Sequence, residues 1–214
     1  MDNDSRGHRW EERTGVPLGI ASLLFLASYA VRVLGHGLPD PWRDLCLAVT
    51  YAMWALFLAD YAVRWRLSGQ GRRFPLRHLL DTVVVVLPLL RPLRVVRLYE
   101  AVARRRGEPR LPLYLRVMAY TSLATVLLGF TAALAVYQQE HGAPGATIRT
   151  FGDSVWWTCS TLATVGYGDV TPVTPLGRLI AVATMACGLA LLGAVTGSFS
   201  SWLLQVFARG EETP

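Results

Sequence analysis

The chain has 214 residues, of which 52% are hydrophobic and 17% charged, with a net charge of +6. Soluble domains carry about 25% charged residues, so the composition argues against a soluble enzyme, and a mean hydropathy of +0.34 excludes intrinsic disorder. A pI near 9.6 would suit a nucleic-acid binder. The basic residues, however, sit at the ends of apolar blocks about as long as the ~20 residues a helix needs to cross a bilayer. That arrangement is expected of a multispan membrane protein with no nucleic-acid partner.

Met1 to Gly15 is polar and mixes both charge signs, without the basic start and short apolar core of a signal peptide; it reads as a short soluble arm. Apolar blocks run from Val16 to about Leu34 and from Leu45 to Val63, both long enough to span, around a Gly/Pro turn at Gly35 to Pro39. A third block, Leu76 to Leu90, is shorter and β-branched at Val83 to Val86, which in water would suggest a strand. Among spans it reads as a short helix. The fourth, Arg91 to about Ala103, carries charge at every third position, and Arg104, Arg105 and Arg106 after it suit an interfacial linker facing anionic headgroups. A fifth helix is expected from Leu111 to about Gln138 and a sixth from Gly177 to about Phe207. Between them Ser154 to Ala163 is too short to cross and reads as re-entrant.

The expected fold is therefore an all-α membrane protein with six transmembrane helices and one re-entrant helix. It divides into an N-terminal arm (1–15), a four-helix module (16–106), a linker and two-helix module (107–208) and a short tail (209–214). The link between the second and third blocks holds Arg64, Arg66, Arg72, Arg73 and Arg77 and no acid, which places it in the cytoplasm. Counting spans from there puts both termini in the cytoplasm, on the inner side of the cell membrane. The loops 35–44 and 139–152, poor in arginine, fall outside.

Cys46, Cys159 and Cys187 each stand alone in apolar stretches, as small buried residues would, without disulfide or metal spacing. His8, His36, His78 and His141 are isolated in flanks and loops. No nucleophile–base pair, metal cluster or nucleotide fingerprint appears, so neither an enzyme nor a resident cofactor is expected. All 21 basic residues are arginine, which with the abundance of Ala, Gly, Pro and Val suggests a GC-rich, bacterial genome.

One motif is specific. After the re-entrant segment comes Thr164-Val165-Gly166-Tyr167-Gly168-Asp169. This resembles the selectivity filter of potassium channels, in which four copies of a TVGYG loop aim backbone carbonyls at dehydrated ions. The resemblance implies a homotetramer conducting K+, with the carbonyls of Thr164, Val165, Gly166 and Tyr167 coordinating the ion and the Thr164 hydroxyl adding an oxygen at the inner end. Successive carbonyls face one side only where the backbone alternates in handedness, and Gly166 and Gly168 tolerate positive φ at little steric cost. The resemblance further implies that Trp157 pairs with the Tyr167 hydroxyl and Trp156 with Asp169, bracing the row from behind. Ser160 stands where some bacterial channels of this type carry a glutamate. Gly177-Arg178-Leu179, Gly188, Gly193, Val195, Thr196 and Trp202 are similar to the inner helix of bacterial two-helix potassium channels, with Gly188 at that family's hinge position. Close helix packing is the other reading of Gly188 and Gly193.

Arg91, Arg94 and Arg97 recur every third residue, which keeps them on one stripe of a helix, above all a 3₁₀ helix. The segment resembles the fourth helix of a voltage sensor. Intramembrane charges need partners, and Asp60 on the second helix and Asp81 on the third are candidates, with Phe57 resembling the aromatic plug past which sensor arginines move. The repeat then departs from the pattern, since the next stripe position is Glu100. The expected function is a voltage-gated, potassium-selective channel. The alternatives are a potassium channel with a vestigial sensor, gated by lipid or pH, and a regulatory subunit that keeps the fold without conducting.

Overall fold

A computed structural model describes residues 2–35, 37, 39–68 and 113–211. Every regular element among them is an α-helix: α1 (Asp2–Leu34), α2 (Asp40–Ser68), α3 (Leu113–Glu140), α4 (Phe151–Leu162) and α5 (Pro175–Glu211). Four are long and apolar enough to cross a membrane, over Val16–Leu34, Asp40–Val63, Val117–Glu140 and Pro175–Leu204. The described residues are thus all-helical, and their four apolar spans are those of a multi-pass membrane protein. The expected third and fourth blocks, with Asp81, Arg91, Arg94, Arg97 and Glu100, lie outside the described residues. The chain forms two compact units, 1–108 and 109–214.

In the first unit α1 begins at Asp2, so the backbone of the expected soluble arm is the beginning of the same helix. No proline stands before Pro17, and Gly7 and Gly15 cost only about 1 kcal/mol each. Pro17 removes one N–H without ending the helix. At the turn, Gly35 N donates to Val31 O (2.9 Å), and the Pro39 carbonyl accepts from Trp42 N (3.0 Å) and Arg43 N (3.3 Å), which starts α2. Leu18, Ala21 and Phe25, spaced for one face of α1, pack with Phe57 and Met53 of α2. Phe57 and Asp60 lie on the same face of α2 and are both buried, 1% and 7% exposed.

In the second unit the C-terminal part of α3 is buried all round, from Thr131 through Tyr137. Three alanines there, Ala132, Ala133 and Ala135, keep the helix thin enough for neighbouring backbones to approach, which is how helices pack where lipid removes the hydrophobic drive. Val136 meets Ile148, Trp157 and Ala181, and Phe151 meets Phe130 and Tyr137 edge-on at 6.1 and 6.0 Å between centroids. Hydroxyls within the spans are satisfied on their own helix four residues back: Thr121 to Val117 O, Thr131 to Leu127 O and Thr184 to Ile180 O, at 2.6 to 2.8 Å.

The 12 residues of α4 rise about 18 Å, short of the ~30 Å hydrocarbon core. A capping box starts it three residues earlier than its apolar run: Asp153 N donates to Thr150 Oγ1 (3.1 Å) and Thr150 N to Asp153 Oδ2 (2.8 Å). The Thr150 amide, and then that of Arg149, hold the Asp153 carboxyl below the ordinary carboxylate range. The cap's contribution is complete above the ordinary carboxylate pKa and is lost as pH falls through the lowered one.

Candidate functional site: the glycine loop after α4 and its tethers

The backbone after α4 turns back on the helix that precedes it. Ala163 N donates to Cys159 O (2.9 Å), Thr164 N to Thr161 O (3.0 Å), and Val165 N and Gly166 N both reach Ser160 O (2.9 and 3.1 Å). Four successive amides are consumed in this way. Among the described residues no hydrogen bond ends on the carbonyl oxygens of Thr164, Val165, Gly166 or Tyr167, all of which lie in exposed residues of the single chain.

The handedness alternates as the carbonyl argument requires, and it does so over one residue more than the glycines suggested. Thr164 has φ +58°, Gly166 +57° and Gly168 +79°, with Val165 and Tyr167 between them on the ordinary side. Positive φ is a genuine outlier for a β-branched residue and stores roughly 1–3 kcal/mol that the surroundings must hold. Thr164 is the only non-glycine in this region among the described residues. Side-chain pattern alone does not reveal it, because threonine has no special backbone freedom to announce the conformation.

The segment beyond the loop is tied at alternate residues to three different parts of the unit. Trp156 Nε1 of α4 donates to Asp169 Oδ2 at 2.7 Å, the pairing expected from the sequence. Thr147 of the loop between α3 and α4 bonds Thr171 twice, its hydroxyl donating to Thr171 O (3.0 Å) and accepting from Thr171 N (2.9 Å). Glu140, the last residue of α3, accepts from Val173 N (3.0 Å), Thr174 N (3.0 Å) and Thr174 Oγ1 (2.7 Å). Its carboxylate is fully buried and sits at the start of α5, where the positive end of the helix dipole favours it. Thr174 Oγ1 also caps that helix by accepting from Gly177 N (2.9 Å). A Cβ on Gly177 would collide with the Glu140 carboxylate, so this glycine is required for space. Glu140 and Thr147 carry no motif of their own; the readable signal was a lone acid closing an apolar span.

Trp157 does not pair with Tyr167 within the chain. Successive residues of a helix point about 100° apart, and here Trp156 takes both partners: its ring stacks on Tyr167 (5.2 Å, 12°) while its N–H holds Asp169. Trp157 points the other way, buried with Val136, Ile148 and Ala181. Ser160 is buried and donates to Trp157 O at 2.9 Å. Of the cysteines expected to be buried, Cys46 and Cys187 are half-buried and Cys159 is exposed in the single chain, all as free thiols. Helix α5 runs unbroken through Gly188 and Gly193; Gly188 is buried against Leu162, and nothing lies within 4 Å of where a Cβ on Gly193 would be.

Comparison with known proteins places this geometry. Residues 118–205 match the family described as "Ion channel". A voltage-gated potassium channel of Aeropyrum pernix is 39% identical over 92 residues, 43% of this chain and 30% of the relative. A cyclic nucleotide-gated potassium channel of Mesorhizobium japonicum is 28% identical over 185 residues, 77% of this chain and 50% of the relative. The voltage-gated potassium channel regulatory subunit KCNF1 of Rattus norvegicus is 29% identical over 191 residues, 86% of this chain and 37% of the relative. The chain spans half or less of the length of these relatives. With its matched segment running from α3 through the glycine loop to α5, the second unit belongs to the ion-channel family, among relatives named as potassium channels.

Proposed function

We propose that the chain is one subunit of a homotetrameric channel that passes K+ selectively through a filter built from four copies of Thr164 to Asp169. The observation that carries the reading is the alternation of φ at Thr164, Gly166 and Gly168 together with four amides turned back onto α4. That combination leaves a row of carbonyls with no internal partner. Four such rows around an axis supply the oxygen cages that replace an ion's hydration shell, with the Thr164 hydroxyl adding a ring at the inner end. Gly168, Asp169 and Trp156 support the row directly, and Trp157 supports it by seating α4 against Val136, Ile148 and Ala181. Each chain supplies one row, so the assembly is fourfold and cyclic.

The complete topology in this reading has six transmembrane helices, α4 as a re-entrant pore helix, and both termini in the cytoplasm. Opening is voltage-dependent through Arg91, Arg94 and Arg97, which exchange between Asp60 and Asp81 past Phe57. The burial of Phe57 and Asp60 on one face of α2 supports this. Each charge crossing a 100 mV drop is worth ~2.3 kcal/mol, so three in each of four subunits set a ceiling of about 28 kcal/mol, and a fraction of that gates steeply. A second reading, a non-conducting regulatory subunit, draws on the KCNF1 relative, which matches 86% of this chain.

Single-channel recording from purified protein in defined bilayers separates these readings. Steep opening with voltage, losing slope progressively as Arg91, Arg94 and Arg97 are changed to Gln, is the expected result. Open probability that stays flat across a wide range contradicts the voltage reading and favours a vestigial sensor. A folded tetramer without conductance favours the regulatory one.

A further inference from the structure

We propose that Leu162 is a positioning residue for ion selection, a peg whose two methyl groups lodge against glycines on α3 and α5 and so register the inner end of the filter to both membrane-crossing helices. The proposal rests on the channel reading above. Leu162 is the last residue of α4. Its Cδ1 lies 3.4 Å from where a Cβ on Gly129 of α3 would be, and its Cδ2 lies 3.2 Å from where a Cβ on Gly188 of α5 would be. The Gly188 position is tighter than side chains ordinarily accept. The remaining approaches there, 3.4 Å to Leu162 Cα and 3.6 Å to its carbonyl oxygen, are ordinary contacts. One leucine thus touches two helices: glycine makes the room on α5, where a Cβ would crowd Cδ2, while on α3 the approach to Gly129 is of ordinary contact length.

The placement of Leu162 matters because of the residues just beyond it. Two positions on, Thr164 is held at φ +58°, a strained conformation that persists only while its surroundings fix it. The amides of residues 163–166 bond the carbonyls of Cys159, Ser160 and Thr161, so the start of the filter is tied to the end of α4 and goes where that end goes. The peg decides where that is. A displacement of α5 at Gly188 would reach the Thr164 oxygens through one side chain, without any bend in α5. This assigns Gly188 a role in close packing next to the filter, with Gly129 in ordinary contact on α3.

The test compares the K+/Na+ permeability ratio, from reversal potentials of purified channels in bilayers, with thermal stability for the same proteins. Leu162→Ala removes both contacts and should lower the ratio about tenfold, the scale of a ~1.4 kcal/mol change in relative ion binding. Leu162→Met, which conserves volume, should retain it. Gly188→Ala should lower the ratio in the wild-type background and add nothing in Leu162→Ala, where the tight contact is gone; such non-additivity is the mark of residues that act through each other. Leu162→Val, which withdraws the peg's reach with a smaller loss of volume, carries the same expectation if Leu162→Ala fails to assemble. A selective wild type with equally selective Leu162→Ala or Leu162→Val, whatever their stability, overturns the peg, as does simple additivity with Gly188→Ala. A wild type that passes sodium as readily as potassium overturns the channel reading instead.

Discussion

Gly168→Ala is expected to abolish potassium selectivity, with reversal potentials in mixed K+ and Na+ solutions as the measurement. The penalty is conformational and not steric, because a Cβ at Gly168 meets nothing within 4 Å in the chain while the residue holds φ +79°. An L-residue in that region costs roughly 1–2 kcal/mol, and four copies around one axis multiply it. The ring relieves the strain by rotating the peptide, which withdraws carbonyls from the ion path. Gly145 supplies the control. It has φ +76° with equally open space, but in the loop between α3 and α4. Gly145→Ala should therefore cost comparable stability per chain and leave the permeability ratio unchanged. Equal loss of selectivity in both variants would show that the effect is global destabilisation and not damage to the carbonyl row.

The second large effect is expected at Glu140. Its carboxylate is fully buried and holds three donors from Val173 and Thr174. Glu140→Ala would orphan all three, at roughly 1–3 kcal/mol each. Glu140→Gln should also be costly, because its amide nitrogen turns donors toward donors. Gly177→Ala reaches the same contact from the other side, since its Cβ would take the carboxylate's place. Thermal unfolding of the protein in mild detergent should show a lower midpoint for all three variants, and Gly177→Ala should cost less in the Glu140→Ala background than alone, since only its 2.8 Å approach to Thr174 Oγ1 then remains. Unfolding of Glu140→Ala at the wild-type temperature would mean that the three hydrogen bonds contribute nothing net.

Much of this is legible in the sequence where chemistry dictates spelling. The glycine hexapeptide names its own backbone, because glycine at alternate positions is the low-cost way to alternate handedness, and the Trp156–Asp169 pairing implied by the resemblance is the observed hydrogen bond. Span positions come from apolar length. Contacts between segments distant in the chain escape such reading: Glu140 with 173–174 and Thr147 with 171 depend on tertiary closure, which leaves no local pattern. The start of α4 escapes for a different reason. The box Thr150-x-x-Asp153 is present in the sequence, but it lies outside the apolar run that marks the helix. Trp156 and Trp157 show the limit of residue type as a guide: two adjacent tryptophans have opposite surroundings, set by helical phase and not by chemistry.

Potassium selection by the glycine loop is tested by the reversal potential of the purified wild-type chain in a bilayer with potassium on one side and sodium on the other. A potential far from zero, of the sign set by potassium permeation, is expected, with a native mass of four protomers in the conducting preparation. A reversal potential near zero with measurable current, or conduction by a species of one or two protomers, would contradict that expectation.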